Sequence, residues 1–179
     1  DLVQREGSGR FSLRRVGAGE AEPELAPTLD LLLAGGALCN DAALAKGEGG
    51  ADVFHAVGDP TEGSLVLAAA EYGARKDDLD RALPRGAELQ FDSVRKRMTT
   101  VHRLPARDAA LPPALRTLWA RRVRADETPG FLAVTKGAID GLLEASRTVW
   151  VGETAVPLDE ERRRRVLSAH DDLAAKGMR

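Results

Sequence analysis

Apolar and polar positions divide this chain into short alternating runs and longer helical ones. Phe11-Ser12-Leu13-Arg14-Arg15-Val16 alternates as a half-exposed strand does. Gly17 to Pro23 then reads as a loop. Residues 29–38, entered from Pro23 or Pro27, read as a buried helix with a broad apolar face. Residues 46–52 are glycine-rich and suit a surface loop, and 53–57 a short strand. Asp59 is a good N-cap, Pro60 suits the first helical position, and Glu62 stands three residues after the cap as in a capping box. The helix opened there carries Leu65, Ala68, Ala69 and Tyr72 on one face and ends at Gly73. A short helix over 76–83 stops at Pro84. Residues 87–91 and 98–104 pair as a central hairpin. The region 105–130 holds four prolines and Trp119, and reads as a loop with a helical run near 115–123. A strand follows over 131–136, then a helix over 138–145 with Leu142 and Leu143 inward. Residues 147–151 and 154–157 form a hairpin about Gly152-Glu153, and Asp159 caps a last helix through Lys176, ended by Gly177. There is no internal repeat. The order predicts an α+β fold, a mostly antiparallel β-sheet flanked by helices.

Composition narrows the functional classes. A length of 179 residues suits one domain, or one and a small appendage. A net charge of −2 with pI about 6.0 argues against a nucleic-acid partner. The run Arg162-Arg163-Arg164-Arg165 follows Glu160 and Glu161, and reads as a solvated helix face with i,i+4 pairs. Cys39 is the only cysteine, so no disulfide framework or cysteine metal cluster is expected, which suits a reducing compartment. His55, His102 and His170 have no metal-ligand spacing. No apolar run approaches the ~20 residues of a membrane span. No signal peptide opens the chain, which as given reads as soluble. A Gly-x-x-x-x-Gly-Lys-Ser/Thr phosphate loop is missing, which excludes a P-loop ATPase.

Candidate chemistry concentrates between Phe91 and Met98. Phe91 lies five residues before Lys96, and Met98 follows on the returning strand. An aromatic face beside a cation and a thioether suits a purine ring, since bases stack on aromatic side chains. The residues alone leave other readings open. Phe91 reads as well as a core strand residue, Met98 as core, and Lys96 as one of three basic residues on a solvated turn. Glu62 reads as part of a capping box, Lys136 as a solvated lysine at a strand end, and Gly137 as an ordinary strand-to-helix turn.

Five stretches, in order, carry a resemblance: Ala37-Leu38-Cys39-Asn40-Asp41-Ala42, Gly58-Asp59-Pro60-Thr61-Glu62-Gly63, Phe91-Asp92-Ser93-Val94-Arg95-Lys96-Arg97-Met98, Thr135-Lys136-Gly137-Ala138 and Gly177-Met178-Arg179. Together they resemble the nucleotide-binding (N) domain of cation-transporting P-type ATPases, nearest the calcium-pump-like branch. The resemblance implies that Phe91 stacks on adenine, over Met98. It places Lys136 at the inner end of the pocket as a cation–π partner, with Gly137 and Ala138 allowing close backbone approach. Glu62 would accept from the exocyclic amine of adenine, and Lys96 would lie near the pocket and pair with Glu62. Ser93 stands where some calcium pumps carry an arginine positioned for the phosphates, which leaves Arg179 the larger part of that task.

The same resemblance sets expectations for the whole. Residues 1–179 would be a single N domain excised from a larger membrane pump. The Asp-Lys-Thr-Gly-Thr phosphorylation motif and the Gly-Asp-Gly hinge motif are not in this sequence, so no catalytic residue is assigned and no turnover is expected from this chain alone. ATP is the expected ligand, with Mg2+ accompanying it in the intact pump. The expected partners are the phosphorylation and actuator domains. The expected place is the cytoplasmic side of an integral plasma (inner) membrane protein. The alternative is a non-enzymatic interaction module of the same fold with a degenerate pocket. The transported ion, whether calcium, magnesium, sodium or protons, would be chosen in membrane helices.

Overall fold

The fold is that of a computed structural model, which describes residues 2–5, 11–14, 26–46, 54–105, 115–116, 130–152 and 154–178. The loop expected at 17–23, that expected at 46–52 apart from Lys46, which ends a strand, most of 105–130 with Trp119, and Arg179 lie outside the described residues. The elements run β1 (Leu2–Arg5), β2 (Phe11–Arg14), α1 (Ala26–Leu38), β3 (Ala43–Lys46), β4 (Phe54–Val57), α2 (Pro60–Glu71), α3 (Lys76–Ala82), β5 (Arg85–Asp92), β6 (Arg97–Arg103) and β7 (Phe131–Gly137). They close with α4 (Ile139–Ala145), β8 (Thr148–Val151), β9 (Thr154–Pro157) and α5 (Glu160–Ala175). Every described strand pair is antiparallel: a three-stranded sheet β5-β6-β7, and the two-stranded ribbons β1-β2, β3-β4 and β8-β9. The expected α+β class holds. The ribbon strands β1 and β3 carried no pattern signal, because Leu-Val-Gln-Arg and Ala-Leu-Ala-Lys are too short to show a period.

The core lies where α1, α2 and α3 meet one face of the sheet. Ala34, Ala37 and Leu38 of α1 pack with Ala69, Leu79, Leu83 and Leu115, and Leu132 and Val134 of β7 close the cluster. α2 begins as expected: Asp59 Oδ1 accepts the amides of Thr61 at 2.8 Å and Glu62 at 3.2 Å, with Pro60 in the first turn. Its buried face is the expected one only in part, with Ala69 inside and Ala68 and Tyr72 half-buried. Gly63, Val66 and Ala69 face inward, while Leu65 is exposed. A Cβ on Gly63 would come within 2.7 Å of the Ala56 Cβ, so the helix packs on its glycine there, while Leu65 lies along Gly36 of α1 at the margin of the core.

On β6, Met98, Thr100 and His102 face the helices and are buried. His102 Nδ1 lies 2.9 Å from the Leu83 carbonyl, which can only accept, so the proton sits on Nδ1. Nε2 then accepts from the Thr100 hydroxyl at 2.8 Å. Burial pulls the His102 pKa below its ordinary value, which keeps the ring neutral. α5 starts at Asp159 and ends with the Met178 amide on the Leu173 carbonyl at 3.1 Å. Its arginine run is not wholly a solvated face. Arg162 pairs with Asp159 at i,i+3, and Arg163 donates to the Leu143 carbonyl at 2.8 Å, tying α5 to the end of α4.

Candidate functional site

A β-bulge shapes the central hairpin. Leu89 pairs with Thr99 and Asp92 with Arg97, so Gln90 and Phe91 together oppose Met98. Met98 pairs with Lys136 on its other side. Phe91, Met98 and Lys136 therefore stand in one row across the sheet. Met98 is 2% exposed, whereas Phe91 is 65% exposed, which rules out the core reading of that ring.

The turn between β5 and β6 is held locally. Asp92 Oδ1 accepts the amides of Val94 at 3.0 Å and Arg95 at 2.7 Å. Ser93 and Lys96 are exposed on it. Lys96 has φ +49°, the left-handed region that few side-chain-bearing residues adopt. Its carbonyl accepts the Ala138 amide at 2.9 Å, which pins the turn to the start of α4. Gly137 is required by this same closeness. A Cβ on it would collide with the Lys96 carbonyl oxygen and lie 2.7 Å from Arg97 Cα. Neighbouring protein backbone, without any ligand, accounts for the glycine.

Glu62 lies at the meeting of α1, α2 and β7. Its Oε2 accepts the Asp41 amide at 2.9 Å, and its Oε1 is paired with Lys136 Nζ. The capping box is thus half-formed: Asp59 caps the helix, but Glu62 turns its carboxylate to Asp41 and Lys136. The two amides, Glu62's foremost, hold the Asp59 carboxyl below its usual pKa. The expected Lys96–Glu62 pair is corrected to Lys136–Glu62. Lys136 shares the inward face of β7 with Leu132 and Val134, whereas Lys96 stands on the exposed turn. Each carboxylate oxygen offers two lone-pair sites, so Glu62 keeps acceptor capacity.

Two residues that sequence reasoning assigned no role organise this corner. Asn40 is fully buried. It donates to the carbonyls of Gly36 at 3.2 Å and Glu62 at 2.9 Å, and accepts the Ala42 amide at 2.8 Å. Arg85 donates to the carbonyls of Asn40 at 2.6 Å and Leu38 at 3.3 Å, and to the carboxylates of Asp41 at 2.7 Å and Glu88 at 2.9 Å. The only signal for Asn40 was its place in the first of the matching stretches. Arg85 lay outside all of them. On the opposite face of the sheet, an open cavity of about 490 Å³ lies among Leu89, Thr99, Thr135 and Leu142, and none of the expected site residues lines it.

Residues 28–179 match the family described as P-type ATPase, cytoplasmic domain N. The chain belongs to this family. Its mixture of helices and antiparallel ladders agrees with that membership. This N domain is 30% identical over 148 residues to a probable cation-transporting ATPase F of Mycobacterium tuberculosis. It is 30% identical over 149 residues to calcium-transporting ATPase 1 of Bacillus cereus, and 27% over 176 residues to a calcium-transporting ATPase of Bacillus subtilis. These alignments cover 82%, 83% and 97% of this chain but only 13%, 13% and 16% of the relatives. The N domain thus spans a small fraction of the ATPases it matches. Among the described residues, no helix is long and apolar enough to cross a membrane.

Proposed function

We propose that residues 1–179 act as one N domain that binds ATP by its adenosine moiety and presents the γ-phosphate to the phosphorylation-domain aspartate of a cation-transporting P-type ATPase. The observation that carries this reading is the exposed Phe91 ring, set by a bulge in one row with Met98 and Lys136, with Glu62 fixed beside Lys136. The ring supplies a stacking face worth ~1–3 kcal/mol. Lys136, on the far side of Met98 in the same row, supplies a cation for the face of the adenine ring. Glu62 has lone pairs to spare for the exocyclic amine. Gly137 and Ala138 offer backbone at the pocket's inner end, and Ser93, Lys96 and Arg179 would serve the phosphate side.

These residues position a ligand and provide no nucleophile. Phosphoryl transfer rests chiefly on positioning and charge, so an N domain of this kind contributes by holding the substrate while a neighbouring domain reacts. Mg2+ would arrive with the nucleotide. The phosphorylation and actuator domains would be the partners, in a protein of the inner or plasma membrane whose N domain faces the cytoplasm. A stack and a few hydrogen bonds, net of association costs, suggest a Kd of roughly 0.1–10 mM.

The test is a two-dimensional amide NMR titration with ATP, AMP and GTP. Shifts at Phe91, Glu62 and Lys136-Gly137 are expected with ATP and AMP, and weaker ones with GTP. No shifts at millimolar ATP would overturn the reading in favour of an interaction module of the same fold. ATP hydrolysis by this chain above the buffer rate, abolished by Phe91→Ala, would overturn the presenting role.

A further inference from the structure

We propose that Arg85 is a positioning residue for adenine recognition: it clamps the peptide between Asn40 and Asp41, aims the Glu62 carboxylate, and so sets the site's preference for a 6-amino over a 6-oxo purine. The inference rests on the nucleotide reading above and deepens it. The Asn40 carbonyl and the Asp41 amide are opposite ends of one planar peptide unit. Arg85 Nη2 holds the oxygen end at 2.6 Å, and the N–H end donates to Glu62 Oε2 at 2.9 Å. Arg85 Nη1 also holds the Asp41 carboxylate at 2.7 Å, so the unit is tied on both sides of its own axis. Glu88, three residues along β5, holds the same Nη1 at 2.9 Å and keeps the guanidinium in place.

Two effects follow for Glu62. A cation on the carbonyl end polarises the peptide and strengthens its N–H as a donor. The fixed plane also decides the direction from which that donor meets the carboxylate. With Oε1 taken by Lys136 and Oε2 by the Asp41 amide, the remaining lone pairs point in set directions. Released from Asp41, the carboxylate would turn about its bond toward Lys136 alone. A purine with a 6-amino group donates to such a carboxylate, whereas a 6-oxo group sets oxygen against oxygen. Discrimination therefore depends on how firmly the acceptor is held. A lysine would serve poorly in place of Arg85, because a compact ammonium cannot span four acceptors as a planar fork does.

The test uses the 179-residue chain, its Arg85→Met, Arg85→Lys and Glu62→Gln variants, and the Arg85→Met/Glu62→Gln double variant. The first readout needs no nucleotide. The Asp41 amide proton should move upfield in Arg85→Met, toward its position in Glu62→Gln. The second readout is the Kd for ATP and for ITP by chemical-shift titration. Arg85→Met should weaken ATP roughly five- to tenfold and ITP less than about twofold, so the ratio of the two collapses. Arg85→Lys should restore part of the ratio, and it carries the same readouts if Arg85→Met does not fold. The double variant should bind ATP no more weakly than Glu62→Gln alone. An unmoved Asp41 amide, or equal weakening of ATP and ITP, would overturn the inference while leaving the nucleotide reading intact. A wild-type chain that does not prefer ATP over ITP would overturn the adenine reading and this inference with it.

Discussion

The two walls of the candidate site are built in opposite ways. On the Glu62 wall, Asn40 is fully buried and triply bonded, Arg85 ties four acceptors, and Glu62 is held by Asp41 and Lys136. On the Phe91 wall, the ring projects into solvent from an edge strand, and the turn beside it is held mainly by Asp92 and by the Lys96–Ala138 backbone bond. The difference is one of physical task. Hydrogen-bond recognition depends on direction and loses value when its groups must be ordered at the moment of binding. Stacking tolerates lateral slip, so an aromatic ring can stand on an exposed edge strand and still contribute. One wall is preorganised for discrimination, and the other supplies contact area.

The largest expected effect comes from breaking the bonded wall. Asn40→Ala leaves the Gly36 and Glu62 carbonyls and the Ala42 amide short of partners, and should lower the stability of the chain by about 3 kcal/mol in denaturant unfolding. A loss below about 1 kcal/mol would mean that water or a neighbour readily takes over. Next, Gly137→Ala forces a Cβ against Lys96 and Arg97 where the walls meet, and should cost about 1–3 kcal/mol by the same measurement. Phe91→Ala sharpens the contrast from the other side. Stability should stay within about 0.5 kcal/mol of the parent, while calorimetry or NMR should show ATP binding weakened by roughly tenfold. A large loss of stability would show that the ring is structural after all.

The smallest expected effect is a pH dependence beneath the bonded wall. The folded pKa of His102 is depressed, chiefly by burial, so the unfolded chain binds the extra proton first as pH falls. The contribution of His102 is fully present above its ordinary value of about 6.5 and is lost as pH drops from there toward the folded pKa. Asp30 acts in the opposite sense at lower pH, because burial raises its carboxyl above the usual range despite the bond to Tyr72. Denaturation midpoints of the parent and of His102→Gln at pH 5 and pH 7.5 separate the two. The parent should lose more stability than the variant on acidification, and parallel behaviour would sink the assignment.

Helix starts and stops were legible because their signals are local. Asp59-Pro60, Asp159, Gly73 and Gly177 act within one turn of chain, and each element stands where they put it. The central hairpin was legible from its flanking runs. The inward face of α2 was legible only as far as Ala69, since the close approach of Gly63 to Ala56 joins residues with no pattern in common. Glu62 showed the same limit. Spacing assigned it to a capping box, but two long-range donors outbid the local one.

Most of the order of elements, the α+β class and the short list of chemically apt residues follow from the chain alone, because periodicity, capping and motif order are properties of neighbouring positions. Tertiary structure alone decided which of those residues share a row, which lysine meets Glu62, and why Gly137 must lack a side chain. It also decided that Thr100 and His102, polar residues on a strand, belong inside, where the Leu83 carbonyl and their own mutual bond satisfy them. Such facts depend on partners far along the chain, and a hydrogen bond between distant residues leaves no mark on the spacing of either.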